Sequence, residues 1–184
     1  MTEILDMVNN QKLILICGAS GSGKTSIAKE LETKGYNIIQ SYTSRKPREE
    51  NEWGHTFVPV EEWIHNWSLS RDIIAFKELY GEAYWATKEQ YKGKGTSIYI
   101  VDPDGAKQVV ECVKDIPIIT IYLTVDRSNR YDRLYDRDKL TSEVWSRLNT
   151  DDDLFQTVKC DYVVDANGDL ESVVKLVLDI LEEE

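Results

Sequence analysis

The octapeptide GASGSGKT, from Gly18 to Thr25, constrains the fold of this chain more than any other feature. It matches the pattern G-x-x-x-x-G-K-[ST] and directly follows the apolar run from Leu13 to Cys17, which is typical of a buried strand. Glycines let successive backbone N–H groups turn towards a polyphosphate, Lys24 reaches the outer phosphates, and the Thr25 hydroxyl can bind Mg²⁺. The helix predicted next adds the positive end of its dipole. The residues predicted to bind nucleotide phosphates are Ser20, Gly21, Ser22, Gly23, Lys24 and Thr25.

The overall charge limits which partners the chain can bind. With 33 Asp and Glu residues against 22 Lys and Arg residues, the formal net charge is −11. Nonspecific binding to DNA or RNA depends on basic residues that neutralise phosphates, so we expect no nucleic-acid partner. A small anionic substrate would need local positive charge, and basic residues concentrate at 45–48 and at 127–139.

Length and composition indicate a single domain in the cytoplasm. The 184 residues suit one compact unit. No segment approaches the ~20 apolar residues that span a bilayer, so we expect no membrane contact. The first residues lack the basic and apolar segments of a secretory signal, and the three cysteines lack the spacing of a zinc site or a disulfide framework. We therefore expect a cytoplasmic protein with reduced thiols.

Strand and helix patterns alternate along the chain. Strand patterns occur at 12–17, 38–42, 97–102, 117–123 and 161–164. This alternation predicts an α/β fold with a five-stranded, mainly parallel sheet and helices on both faces.

Two segments interrupt the alternation. Residues 43–95 are rich in Trp, Tyr and turn residues, and we predict an α+β insertion there. The charged segment at about 136–143 is predicted to be a short lid. The core of the single domain 1–184 would then consist of residues 1–42 and 96–184.

A second substrate site is needed to narrow the function, because a phosphate loop alone is compatible with an ATPase, a GTPase, a kinase or a transporter motor. The segment from Ser41 to Arg48 leaves a predicted core strand at its carboxyl end, where open α/β sheets bind ligands. Arg45 and Arg48 can each bind phosphate in a bidentate manner. For two arginines considered alone, a solvated surface pair remains the alternative.

Six short motifs follow the phosphate loop in a fixed order. They are SYTSRKPR at 41–48, GHTFVP at 54–59, GEAYWAT at 81–87, IVDPDGA at 100–106, RLYDR at 133–137 and SRL at 146–148. Together they resemble the motifs of the guanylate kinases, which are P-loop nucleoside monophosphate kinases. The resemblance covers nearly the whole chain. It implies a P-loop NTPase fold with a region that binds the nucleoside monophosphate, and transfer of the γ-phosphoryl group of Mg²⁺-bound ATP to GMP or dGMP.

The resemblance implies roles for the matching residues. Ser41, Arg45 and Arg48 would hold the acceptor monophosphate, and Thr87 and Asp102 would face its purine base. Asp102 would also be an acid on the Mg²⁺ side. Phosphoryl transfer depends on positioning and on charge stabilisation. The implied catalytic residues are Lys24, Arg45, Arg133, Arg137 and Arg147.

The acceptor region also departs from the family pattern. Phe57, a predicted acceptor-site residue, stands where the family commonly has a phosphate-binding tyrosine. Trp85 and Ala86 replace a Tyr-Gly pair, and Ile100 replaces a carboxylate. Glu78 is the candidate for the glutamate that recognises guanine.

Two charged segments lie on predicted helices. Arg133 and Arg137 are four residues apart, so both can project from one helix face towards phosphates. The alternative is a surface helix whose arginines are neutralised by neighbouring aspartates. The run Asp151 to Asp153 is interpreted as solvated charge, because its carboxylates would fan around the helix axis.

Two alternative functions stay open. A related P-loop kinase could act on another deoxynucleotide or on a ribose bisphosphate, because the acceptor pocket is altered. A guanylate kinase-like module without catalysis could instead bind protein partners. Such modules typically have a degraded phosphate loop, whereas Lys24, Thr25 and the lid arginines are intact in this chain.

Overall fold

Two sheets organise the protein in the computed structural model, which describes residues 11–59, 72–79 and 81–184. The described strands are β1 (Lys12–Gly18), β2 (Asn37–Ile39), β3 (Ser41–Thr43), β4 (His55–Phe57), β5 (Ile73–Leu79), β6 (Glu82–Thr87), β7 (Thr96–Ile100), β8 (Ile118–Thr124) and β9 (Tyr162–Asp165). The larger sheet has five strands in the order β2-β7-β1-β8-β9, and its pairs are parallel. The predicted α/β sheet is confirmed.

Helices cover both faces of the larger sheet. The described α-helices are α1 (Lys24–Thr33), α2 (Pro103–Cys112), α3 (Arg127–Asp138), α4 (Thr141–Leu154) and α5 (Leu170–Glu183). Side chains alternate between the faces of a strand, so Leu15 and Cys17 of β1 pack with α2, while Ile14 and Ile16 pack with α1 and α5. Burial on both faces explains why β1 is a continuous apolar run. Among the described helices, none is long and apolar enough to cross a membrane.

Most of the smaller sheet lies within the part of the chain predicted to be an insertion, but its strand β3 begins at Ser41, before residue 43. Its four strands have the order β4-β3-β6-β5. Strand β3 is parallel to β4 and antiparallel to β6, and β6 is antiparallel to β5. Residues 60–71 and residue 80 of the predicted insertion lie outside the described residues, and the proposed division at residues 42 and 43 stays a prediction.

The chain passes from one sheet to the other at Gln40. Sequence reasoning predicted one strand at 38–42, but the structure has two short strands there, β2 and β3, in different sheets. The backbone oxygen of Gln40, between them, accepts a hydrogen bond from Nε2 of Gln90 at 2.5 Å. An apolar pattern reports burial and does not identify the pairing partner, so it could not show this exchange.

Helices α3 and α4 are separated by a very short connection. Lys139 adopts a left-handed conformation with φ of 57°, and Leu140 precedes the start of α4. Most of the segment at 136–143 is therefore helical, and the interruption is narrower than the sequence predicted. A lid role for this segment stays a prediction.

Replacing Leu15 by Ala should strongly destabilise the fold. Leu15 is 0% exposed in the central strand β1, and such truncations cost about 2–5 kcal/mol, since they lose apolar burial and leave a cavity. The matched control is Leu176→Ala on α5, where the side chain is 47% exposed and the cost should stay below about 1 kcal/mol. Urea unfolding followed by circular dichroism measures both, and equal losses would contradict the assigned core.

Candidate functional site

The phosphate loop joins the carboxyl end of β1 to the start of α1. Gly21 and Gly23 within it have positive φ angles of 80° and 93°, a conformation that residues with side chains rarely adopt. A Cβ atom at Gly21 would lie 3.0 Å from the backbone oxygen of Arg130 on α3. Glycine at position 21 is therefore required both by the backbone conformation and by the close approach of a helix.

Lys24 folds back over the phosphate loop. Its Nζ donates to the backbone oxygen of Gly18 at 2.6 Å. Burial lowers the pKa of Lys24 to about 8, against the opposing effect of the Asp151 carboxylate. The charge of Arg137 also lowers this pKa, so the guanidinium of Arg137 lies within electrostatic reach of the lysine. The predicted phosphate-binding lysine thus lies at the loop, close to an arginine of α3.

Arg133 contacts the phosphate loop from α3. Its Nη1 donates to the backbone oxygen of Gly21 at 3.2 Å, and its Nη2 donates to that of Ala166 at 2.9 Å. Arg133 also lines a cavity of about 200 Å³ beside the loop. The other lining residues are Ser22, Gly23, Ser26, Ile27, Ala166, Gly168, Leu170 and Val173. The structure therefore brings Arg133 together with the predicted phosphate ligands, and Arg147 lies half-buried on the adjacent helix α4.

Asp151 also contacts the loop, which corrects the interpretation of the Asp151 to Asp153 run as solvated charge. Asp151 is 8% exposed, and its Oδ2 accepts from the backbone N–H of Ser20 at 2.6 Å. Arg130, a residue that sequence reasoning did not select, donates through Nε to the Ser20 oxygen at 3.1 Å. A signal existed, because Val144, Leu148 and Asp151 are spaced to share one helix face and the first two are buried.

Arg45, just after β3, forms a bidentate ion pair with Glu52. The guanidinium nitrogens of Arg45 lie 2.8 and 3.1 Å from the two Glu52 oxygens, and the Arg48 backbone N–H donates to Glu52 at 2.7 Å. The hydrogen bond from Arg45 holds the pKa of Glu52 at about 2. The guanidinium also lies 5.3 Å from the centre of the Phe57 ring, a cation–π contact. Phe57 thus supports Arg45 by stacking, and Glu52 was missed by sequence reasoning.

Two neighbouring cavities, together called the cleft, lie between the phosphate loop and Asp102. Thr25 lines a cavity of about 110 Å³ together with Ser41 and Ile100. Ser41 and Ile100 also line a second cavity of about 210 Å³, which reaches Asp102. The remaining residues of the second cavity are Ala75, Phe76, Lys77, Leu79, Tyr84, Tyr99, Val101 and Gly105. The two cavities are therefore adjacent, and the strand ends of the larger sheet meet the smaller sheet at this cleft.

Charged groups in the second cavity are paired with each other. The ammonium group of Lys77 forms an ion pair with Asp102 Oδ2, and Asp102 Oδ1 caps helix α2 by accepting from the Gly105 N–H at 2.8 Å. Glu78, the residue predicted to recognise guanine, is exposed on β5 and is not among the residues that line the cavity. Thr87 is half-buried and also lies outside this lining set. Lys77 and Asp102 therefore present the charges at this end of the cleft.

The Mg²⁺ role of Thr25 and Asp102 stays a prediction. Thr25 and Asp102 line different cavities, and Asp102 is engaged by Lys77 and by the start of α2. In the described ranges, no group of three or more His, Cys, Asp or Glu side chains could hold a metal ion. A single hydroxyl such as that of Thr25 still fits Mg²⁺ carried by nucleotide phosphates, because Mg²⁺ in such sites keeps few protein ligands.

Comparison with protein families identifies the type of domain. A family model described as an AAA domain matches residues 14–156. The chain belongs to this family. The matched range begins in β1 and ends just after α4. It therefore contains the phosphate loop, the cleft and the helices that carry the candidate arginines.

Curated proteins that are similar to this chain in sequence are named guanylate kinase. That of Wolbachia sp. subsp. Brugia malayi (strain TRS) is 28% identical, with 96% of this chain and 94% of the relative covered. That of Thermotoga maritima is 26% identical, with 94% and 87% covered. The crystal structure of guanylate kinase from Anaplasma phagocytophilum has a TM-score of 0.62 at 20% identity, with 96% of this chain and 88% of that chain covered. The resemblance to guanylate kinases and the P-loop fold are confirmed.

The ion pair between Glu52 and Arg45 should make the stability of the protein depend on pH. The folded pKa of Glu52, about 2, lies below its usual value of 4.5, so the carboxylate stabilises the fold above pH 4.5 and this contribution is lost as the pH falls towards 2. Glu52→Gln should therefore lower the free energy of unfolding at neutral pH, and the difference from wild type should shrink on acidification.

Urea unfolding at neutral pH and at about pH 3 measures this effect. Glu50→Gln, a change of the same kind at an exposed position of the same loop, should cause little change at either pH. A Glu52→Gln deficit of the same size at both pH values would contradict the assigned ion pair.

Proposed function

We propose that this chain transfers the γ-phosphoryl group of ATP to GMP or dGMP, giving ADP and GDP or dGDP. The observation that carries the proposal is the cleft that links Thr25, at the phosphate loop, with Ser41 and Asp102 at the smaller sheet. The phosphate-loop side of the cleft has the groups suited to a triphosphate, and Arg45 and Arg48 follow β3, the strand that begins with Ser41. The curated relatives named guanylate kinase support the same reaction.

The phosphate loop would hold the donor nucleotide. Backbone N–H groups of residues 20–25 would bind the phosphates, and the Nζ of Lys24 would leave its carbonyl partners for the outer phosphates. The hydroxyl of Thr25 would hold Mg²⁺, which supplies charge neutralisation to the phosphates when bound. The cavity beside Arg133 would accommodate the nucleoside of the donor.

The smaller sheet would hold the acceptor. Arg45 is already oriented by a planar bidentate contact, which is the geometry that it would offer to a phosphate. Arg48 is exposed beside it, and Ser41 lies where the two cavities meet. Asp102 would face the base, and Thr87 retains the role that the resemblance implies.

Phosphoryl transfer would be promoted by positive charge around the moving group. The transition state is loose and carries charge on its equatorial oxygens, so positioned guanidiniums stabilise it more than a strong base would. Arg133 lies at the phosphate loop, Arg137 lies within electrostatic reach of Lys24, and Arg147 is on the adjoining helix. These three arginines are the proposed stabilising groups.

A panel of acceptors tests the proposal. The protein is incubated with Mg-ATP and each of GMP, dGMP, AMP, CMP, UMP and dTMP, and ADP release is measured. GMP and dGMP should react much faster than the others, and Lys24→Ala should abolish the reaction while circular dichroism and melting remain near wild type. Equal rates with all bases would contradict the guanine assignment.

One observation favours keeping a second candidate acceptor in the panel. The cavity next to Asp102 contains the ammonium group of Lys77, and Glu78 lies outside it. A related kinase for another deoxynucleotide or for a ribose bisphosphate is therefore the second candidate. Absence of ADP release with every acceptor would instead favour a non-catalytic protein-binding module. The cytoplasmic location and the lack of a nucleic-acid partner stay predictions.

Arg48→Ala and Arg137→Ala should affect different kinetic constants. Arg48 is proposed to contact the acceptor phosphate before transfer, so its loss should mainly raise the KM for the acceptor. Arg137 is proposed to stabilise the transferring group, and arginines in that role contribute about 10³-fold or more to kcat. Steady-state kinetics with both substrates measures the split. A normal kcat in Arg137→Ala would remove it from the catalytic group.

A further inference from the structure

Both polar backbone atoms of one phosphate-loop residue are bound by a buried ion pair. The N–H of Ser20 donates to Oδ2 of Asp151 at 2.6 Å, and the Ser20 oxygen accepts from Nε of Arg130 at 3.1 Å. Arg130 and Asp151 also contact each other, with Nη2 and Oδ2 separated by 3.4 Å. The three residues therefore form a closed arrangement around a single peptide segment of the loop.

The burial of this ion pair indicates a specific role. Arg130 is 6% exposed and Asp151 is 8% exposed, and removing two charges from water is costly unless hydrogen bonds satisfy them. Here the bonds go to the loop and to Asp152, whose Oδ1 accepts from Arg130 Nη1 at 3.0 Å. Because both Arg130 and Asp151 bond to the backbone of Ser20, this ion pair is tied to the phosphate loop.

The pair also connects two helices to the loop. Arg130 is on α3, which carries Arg133 and Arg137, and Asp151 is on α4, which carries Arg147. This ion pair therefore connects the loop proposed to hold ATP with the two helices that carry the arginines proposed to stabilise the transferring group.

We propose that Asp151 and Arg130 are positioning residues for the phosphoryl donor. They hold the phosphate loop in register with α3 and α4, so that ATP binding and transfer depend on this ion pair, whereas acceptor binding at the smaller sheet does not. The inference rests on the proposed ATP-dependent activity. It assigns a function to two residues that lie behind the loop and do not line the cleft.

Asp151→Asn is the central variant, because it keeps the size of the side chain and an oxygen that can accept from Ser20 but removes the charge that pairs with Arg130. We expect kcat/KM for ATP to fall by about tenfold or more, as charge-assisted hydrogen bonds are lost, and the KM for GMP to stay within about twofold of wild type. Asp153→Asn is the matched control, since it makes the same change at an exposed position of the same helix. It should leave both constants unchanged.

A double variant tests whether the two residues act as a pair. Arg130→Gln alone should reproduce the ATP-selective loss. Asp151→Asn combined with Arg130→Gln should lose less than the product of the two single losses, because the second change removes a guanidinium that has already lost its Asp151 partner. Multiplicative losses would show that the residues act independently and would overturn the pairing.

Two further measurements separate positioning from a general loss of structure. In ¹⁵N-labelled protein, the Ser20 amide proton should resonate downfield in wild type, since it bonds to a carboxylate, and should move upfield in Asp151→Asn. Calorimetric titration with Mg-ATP should show weaker binding in the same variant without any phosphoryl transfer. If Asp151→Asn does not fold, Arg130→Lys replaces it, since lysine keeps the charge but lacks the planar fork that reaches Ser20 and Asp151 together.

The outcomes distinguish this inference from the proposed function. A wild-type protein that phosphorylates no acceptor would defeat the proposed function, and ATP titration would still test the positioning role. An active wild type, combined with a variant that binds ATP normally and keeps its Ser20 resonance, would overturn the inference alone. An equal rise in the KM for ATP and in the KM for GMP would also overturn it, because that result describes a purely structural ion pair.

Discussion

The close packing of α3 against the phosphate loop is the constraint on which the rest of the site depends. At Gly21 a Cβ atom would lie 3.0 Å from the Arg130 backbone oxygen and 3.3 Å from Cγ of Leu134. Leu134 is itself fully buried, and close-packed groups of this kind do not move independently. The loop conformation and the position of α3 are therefore set together. The distance between the arginines of α3 and the phosphate loop therefore depends on this contact.

The smaller sheet is positioned by a different and shorter connection. The chain leaves the larger sheet at Ile39 and enters the smaller one at Ser41, so a single residue, Gln40, separates the two sheets. Ser41 Oγ then bonds to the Tyr99 hydroxyl of β7 at 3.3 Å. Because Ser41 lines both cavities of the cleft, the single-residue connection at Gln40 places the start of the smaller sheet beside the strand ends that face the phosphate loop.

The sequence identifies those features whose chemistry depends on adjacent residues. The loop could be predicted because phosphate binding needs glycines, a lysine and a hydroxyl at fixed spacing, and β1 could be predicted because burial on both faces requires consecutive apolar residues. Glu78 illustrates the limit. A shift of one residue along a strand moves a side chain to the other face, and it is Lys77 that reaches the cavity. Asp151 illustrates another limit, since only its helical phase relative to Leu148 distinguishes it from the solvated Asp153.

The acidic composition of the chain affects anion binding less than individual short-range contacts do. A net charge of −11 would oppose an anionic substrate if its charges acted at long range, but screening confines them to about 10 Å. Within that distance, Glu52 holds Arg45 in a planar bidentate geometry, and this is the geometry that a phosphate group requires. Part of the side-chain entropy that binding would cost is thus already lost in the unbound protein. At the proposed acceptor site, a phosphate would have to displace or share this carboxylate. Glu52 would therefore both orient the arginine and compete for it, and the balance between these two effects would govern the affinity for phosphate more directly than net charge.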